Sequence, residues 1–193
     1  GAKLTILDKD GKVVESWVSD KDPHMVEKLP VGTYTLREEQ APDGYLVAEE
    51  VSFEVKDTGE IQKVEMKDAR PVGKLVLKKT DAEDGSPLAG AEFELRIKKS
   101  GKVVATLVTD EEGAATSGDI PIATYKDGKM KKEIEYILVE TKATDGYVRS
   151  EKEESVVFTY QDDKTKEIEI TKELTNERIP TGGYVKSPKT GDD

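Results

Sequence analysis

Short runs in which apolar and polar residues alternate recur along most of the chain. Leu4 and Ile6, then Val14, Ser16 and Val18, Tyr34 and Leu36, and Val51, Phe53 and Val55 sit two apart. Leu75 and Leu77, Phe93 and Leu95, Ile137 and Val139, Val157 and Thr159, and Ile168 and Ile170 continue the series. Side chains of an extended chain point alternately to opposite faces, so a period of two puts each apolar set on one side of a strand. No segment sustains the 3.6-residue helical period. Asp10-Gly11, Asp43-Gly44, Asp84-Gly85, Asp127-Gly128 and Asp145-Gly146 punctuate the runs, each supplying a residue tolerant of positive φ where a hairpin must reverse. Many short strands at this spacing predict an all-β fold of sandwich type.

The runs also repeat. Gly11–Asp20 laid over Gly101–Asp110, an offset of 90, gives six identities in ten, and Gly1-Ala2 falls on Gly90-Ala91 at an offset of 89. Tyr34–Tyr45 corresponds to Tyr136–Tyr147, now offset by 102, so the second copy has gained a polar hairpin around Tyr125–Lys132. The second copy has a strand from Lys74 to Asp81 ahead of its Gly-Ala, whereas the first begins at its Gly-Ala. The first domain is therefore expected to lack its opening strand, either because the chain is cut there or because another segment of the intact protein supplies it. The predicted division is a first domain at 1–71, a second at 72–179 and a flexible tail with a signal at 180–193, the breaks falling at Pro71-Val72-Gly73 and Pro180-Thr-Gly-Gly183.

Composition narrows the chemistry. The 193 residues include no cysteine, which excludes disulfides, thiol nucleophiles and cysteine-ligated zinc. Asp plus Glu outnumber Lys plus Arg by 41 to 30, and a net charge of −11 disfavours nucleic acid as a partner. His24 is the single histidine and lies in a turn-like Asp22-Pro-His-Met25, so a catalytic triad or histidine metal cluster is not expected. Neither metal nor cofactor is predicted. Acidic turns such as Asp8, Asp10, Asp162 and Asp163 lack the spacing of a calcium loop. Trp17 aligns with Leu107 and reads as packing. The first residues carry no signal peptide, and the chain reads as a fragment or processed piece.

Leu29-Pro-Val-Gly-Thr-Tyr-Thr-Leu36 followed by Arg37-Glu-Glu-Gln-Ala-Pro-Asp-Gly-Tyr45 closely resembles the glutamate-bearing box of CnaB-type domains, the prealbumin-like stalk modules of Gram-positive adhesins and pilins. In the second copy, Leu75–Asp81 and Ile170–Asn176 look like the first and last strands of that family. The fold this implies is two tandem Ig-like/prealbumin-like β-sandwich domains with a flexible C-terminal tail. The resemblance also implies a self-catalysed isopeptide bond between a first-strand lysine and a last-strand asparagine or aspartate, assisted by the buried glutamate. Lys79 is the lysine, because alternation with Leu75 and Leu77 sends residue 79 to their face and Lys78 to solvent. The glutamate maps to Glu140 and the acceptor to Asn176. In the first domain Glu38 is the equivalent glutamate and Asp68 the acceptor, with the partner lysine absent; Lys3 stands at the wrong strand position. The chemistry is reasonable, since burial favours the neutral amine of lysine and the neutral acid of glutamate, and a folded sandwich holds both beside the acceptor.

Ser187-Pro188-Lys189-Thr190-Gly191 resembles the LPxTG sortase signal with serine in place of leucine. By that resemblance Thr190 would become the acyl donor joined to its acceptor, and Gly191 onward would be released. The implied partners are a sortase, then cell-wall peptidoglycan or another pilin subunit; the implied location is secreted, anchored to the wall at the Gram-positive surface. The expected function is a structural stalk and not an enzyme, its one reaction being consumed in a single turnover. The alternative is a module binding a host matrix protein or glycan through loops such as Tyr125–Lys132.

Overall fold

A computed structural model describes residues 1–182, in which all regular structure is β. The first repeat contributes β1 (Lys3–Leu7), β2 (Val13–Val18), β3 (Gly32–Gln40) and β4 (Val51–Val55). They form one antiparallel sheet in the order β2-β1-β3-β4. Ile6 pairs with Leu36 across β1 and β3, and Tyr34 with Phe53 across β3 and β4, so these apolar sets fall on one face; in β2 the expected set Val14, Ser16 and Val18 is exposed instead, because the larger Trp17 takes the core side. Buried Ile6, Tyr34 and Leu36 form the centre of that face, with Leu4, Trp17, Val26, Leu29, Phe53 and Met66 packed around them.

The second repeat begins with β5 (Val72–Asp81), followed by β6 (Glu92–Ile97), β7 (Val103–Val108), β8 (Ala114–Thr116) and β9 (Ile120–Pro121). Next come β10 (Ala123–Lys126), β11 (Lys129–Glu133), β12 (Tyr136–Lys142), β13 (Glu154–Val156) and β14 (Glu167–Asn176). One sheet runs β13-β12-β6-β7 and the other β14-β5-β8, with β9 also on β5. Strand for strand, β1, β2, β3 and β4 repeat as β6, β7, β12 and β13, in the same sheet order. Between the two sheets Leu75, Leu77, Phe93, Leu95, Tyr136, Leu138, Val156 and Phe158 are all at most 1% exposed. Each such side chain contributes about 1.5–3 kcal/mol of burial free energy, which makes this core the main stabilising term. Gly73 is where Phe158 crosses β5, because an added Cβ would lie 2.5 Å from the Phe158 ring.

The second sheet explains the asymmetry between the repeats. β5 is its central strand, paired in parallel with β14 along all ten residues and antiparallel with β8 and β9. Among the described residues of the first repeat no strand takes the place of β5. Residues 56–68 accordingly run without a ladder, as a backbone lacking a neighbour has no strand pairing to join. Leu46 and Ala69 form an isolated bridge, in which the Leu46 N–H donates to the Ala69 carbonyl as the Val148 N–H donates to the Glu177 carbonyl in the second repeat. The inserted Tyr125–Lys132 segment is indeed a hairpin, β10–β11, reversing through Asp127 and Gly128, both at positive φ.

Candidate functional site

β5 carries the lysine inward. Its buried positions are Gly73, Leu75, Leu77, Lys79 and Asp81, whereas Lys78 is exposed, as the alternation predicts. In β14 the alternation persists to the strand end, so Ile168 and Asn176 are both buried on the core side. The parallel register sets Leu174 opposite Lys79 and Asn176 opposite Asp81. From the facing sheet, Tyr136, Leu138 and Glu140 of β12 point into the same interior. Three residues distant in sequence therefore meet at one end of the sandwich.

Their contacts are close. Lys79 Nζ lies 3.2 Å from Glu140 Oε1 and donates to the Thr175 carbonyl at 3.0 Å. The Phe93 ring centroid is 5.6 Å from the same nitrogen. Glu140 Oε2 accepts from the Ser150 backbone N–H at 2.5 Å and from Asn176 Nδ2 at 3.0 Å. Asn176 Nδ2 also donates to the Val148 carbonyl at 2.7 Å, while its Oδ1 is buried without a hydrogen-bond partner. Lys79, Glu140 and Asn176 are 1%, 2% and 4% exposed, so the group is shut away from bulk water. A cavity of about 320 Å³ adjoins it, lined in part by Lys79, Phe93, Glu140 and Ser150.

Burial pulls the Lys79 ammonium below the usual lysine range, and the neighbouring Glu140 opposes that pull. A buried ion pair can relieve its desolvation cost by moving the proton from nitrogen to oxygen. The Lys79 amine and the Glu140 carboxyl stand together beside a carboxamide with an unpartnered oxygen.

In the first domain Glu38 on β3 occupies the corresponding place. Its Oε2 accepts from the Ala48 N–H at 2.6 Å, repeating the Glu140–Ser150 bond at the same offset of 102. Burial pushes Glu38 up to about 7 against the lowering effect of that hydrogen bond, and the charges of Asp68 and Asp163 push it further in the same direction. Asp68 is half-buried. Lys3 is exposed on β1, and among the described residues no lysine stands where Lys79 stands in the second domain. The Ser187–Gly191 segment lies outside the described residues.

The family model described as SpaA, prealbumin-like fold domain, matches residues 1–70 and 73–174. The chain belongs to that family. Both prealbumin-like domains are thus covered, and no curated protein sequence matches the chain. The solved structure of the Bacillus anthracis TIE protein is similar at 31% identity and a TM-score of 0.58, covering 92% of this chain. This chain spans 31% of the TIE protein's length. GBS52, the minor pilin of Streptococcus agalactiae, is 18% identical with a TM-score of 0.43, over 97% of this chain and 87% of its own. The shaft pilin SpaA of Lactobacillus rhamnosus GG is 14% identical with a TM-score of 0.40, over 95% of each chain.

Several residues around the prealbumin-like site were not singled out from the sequence. Asp81 accepts from Tyr147 Oη at 2.7 Å, from Arg178 Nε at 2.6 Å, and from the backbone N–H groups of Glu83 and Asp84. These donors hold its carboxyl well below the usual range, the Tyr147 hydroxyl most strongly. The cluster ties the ends of β5 and β14 together two residues beyond Lys79 and Asn176. Period two already placed Asp81 on the Lys79 face, and Arg178 lies as far after Asn176 as Arg70 after Asp68. Those spacings were the available signal. Exposed His24 stacks its ring on half-buried Trp17 at 4.3 Å, and its Nε2 lies 2.6 Å from Glu15 Oε1.

Proposed function

We propose that this chain is a structural stalk segment of a Gram-positive surface protein, an adhesin or pilin, stapled by an isopeptide bond that the second domain makes for itself. The observation that carries the reading is the buried contact of Lys79, Glu140 and Asn176. Glu140 takes a proton from Lys79, and the neutral amine attacks Cγ of Asn176. Protonated Glu140 donates toward the carboxamide as the tetrahedral centre forms, that proton passes on to the departing nitrogen, and the former Lys79 nitrogen returns its second proton to Glu140. One C–N bond forms, one breaks, and ammonia leaves. Glu140 is regenerated but its partners are consumed, so the reaction occurs once per molecule and the protein is not an enzyme. Desolvation supplies the neutral amine, and the fold supplies proximity equivalent to a very high local concentration.

The test is the intact mass under denaturing conditions of the chain and of Lys79→Ala and Asn176→Ala variants. The parent is expected to be lighter than its sequence by one ammonia, and each variant to have its full mass. A parent of full mass overturns the proposal. The anchoring half of the reading rests on Ser187–Gly191: a sortase with an amine nucleophile is expected to replace Gly191 onward and join Thr190 to the nucleophile. In the cell that nucleophile belongs to peptidoglycan or to another pilin subunit.

A further inference from the structure

The two domains share the Ala-x-Asp-Gly-Tyr loop that follows the glutamate strand, yet its surroundings differ between them. In the first domain Ala41, Gly44, Tyr45 and Leu46 are buried; in the second, Gly146 and Val148 are exposed and Tyr147 is half-buried. The inserted β10–β11 hairpin accounts for the difference. Tyr125 Oη donates to the Gly44 carbonyl at 2.8 Å, and its ring lies 5.0 Å from that of Tyr45. Met130 packs so closely on Gly44 that an added Cβ would lie 2.3 Å from the Met130 Cβ. The Arg70 guanidinium sits 4.2 Å from the Tyr125 ring centroid and 5.8 Å from that of Tyr45. Beside the hairpin, Tyr160 Oη donates to the Tyr45 carbonyl at 2.9 Å and the Val47 N–H to the Asp163 carbonyl at 2.8 Å.

Equivalent side chains thus serve two ends. In the second domain Tyr147 and Arg178 both close on Asp81 within their own domain. In the first domain their counterparts Tyr45 and Arg70 form the seat for a neighbour. We propose that the β10–β11 hairpin is a splint that fixes the second domain against the box loop of the first, making the pair one rigid segment. Linked domains move relative to each other by default, so rigidity here requires a specific device, and one inserted in only one of two copies fits that need. An aromatic and methionine contact with hydrogen bonds to backbone carbonyls supplies apolar burial and orientation together. Tyr125 and Met130 are spent on the preceding domain, which leaves the remaining polar residues of Tyr125–Lys132 for any contact with a host ligand. The splint does not depend on the isopeptide bond.

With no native cysteine, spin labels can be placed cleanly at Lys12→Cys and Lys102→Cys, exposed turn positions of the two domains outside these contacts. Pulsed dipolar spectroscopy of the full chain is expected to give one narrow distance distribution. Tyr125→Ala with Met130→Ala, and separately Gly44→Ala, should each broaden it to several times that width. Gly146→Ala is the control: both glycines have positive φ, 83° and 88°, but nothing lies within 4 Å of an added Cβ on Gly146. Backbone strain is therefore matched and only contact with the hairpin differs. A broad distribution in the parent overturns the proposal. So does a distribution that stays narrow in both hairpin-contact variants, or one that broadens equally with Gly146→Ala.

Discussion

Replacing Lys79 and Glu140 together, as Lys79→Met with Glu140→Gln, isolates what the proposed bond contributes. Methionine keeps an unbranched apolar chain of similar length, and glutamine can still accept from the Ser150 N–H. No charge is left buried without a partner, a defect that would otherwise cost about 3–5 kcal/mol by itself. What remains is the loss of a link between positions 79 and 176. By the chain-entropy account of cross-links, closing a loop of about 100 residues restricts the unfolded state by roughly 4.7 kcal/mol at 25 °C. At about 4 °C per kcal/mol for a domain of this size, the calorimetric transition of the second domain should fall by about 20 °C. Its mass should rise by one ammonia at the same time. A variant that melts within a few degrees of the parent, while the parent's mass shows the bond present, would refute the entropic reasoning.

Three further outcomes are expected. Glu38 has an ordinary value of 4.5 and is pushed up to about 7 in the fold. The folded state therefore favours its protonated form: this contribution is complete below about pH 4.5 and is lost as pH rises to about 7, for roughly 3 kcal/mol. Urea unfolding of the first domain followed against pH should show that slope, and Glu38→Gln should abolish it. Asp81 is shifted the other way, so its contribution is present above the usual carboxylate range and lost in acid. Asp81→Asn should lower the second-domain melting temperature at neutral pH, the difference vanishing in strong acid, and slow the appearance of the ammonia-deficient species in freshly refolded protein. Gly73→Ala drives a methyl into the Phe158 ring and should destabilise the second domain by about 1–3 kcal/mol in denaturant titration, with Gly85→Ala as a strained but uncrowded comparison.

The parts of the molecule legible in the sequence are those that local periodicity encodes. Alternation identified the strands and gave the inward orientation of Lys79 against Lys78, because a pleated strand leaves no other choice once Leu75 and Leu77 are inside. The internal duplication marked the missing counterpart of β5 and the inserted hairpin. Glu140 was different: it was reached by resemblance, since a glutamate in a strand resembles any surface carboxylate until a second sheet covers it. Asp81, Tyr147 and Arg178 went unrecognised because their meeting depends on the parallel pairing of β5 with β14, a contact between strands nearly a hundred residues apart. The direction of the hairpin was equally hidden, as Tyr125 and Met130 can face solvent or a neighbour with the same local pattern.

The parallel pairing of β5 and β14 has a consequence for extension under force. The chain enters the second domain at the base of β5 and leaves it at the far end of β14, so pulling on the two ends shears the ladder along its length instead of peeling it bond by bond. Without a covalent tie, rupture would release the 96 residues between positions 79 and 176, roughly 320 Å of contour at about 3.3 Å per residue. With Lys79 joined to Asn176 as proposed, the force would pass up β5, across one amide and out of the domain. Everything between those two residues would be bypassed, and the segment would behave as a strap of fixed length.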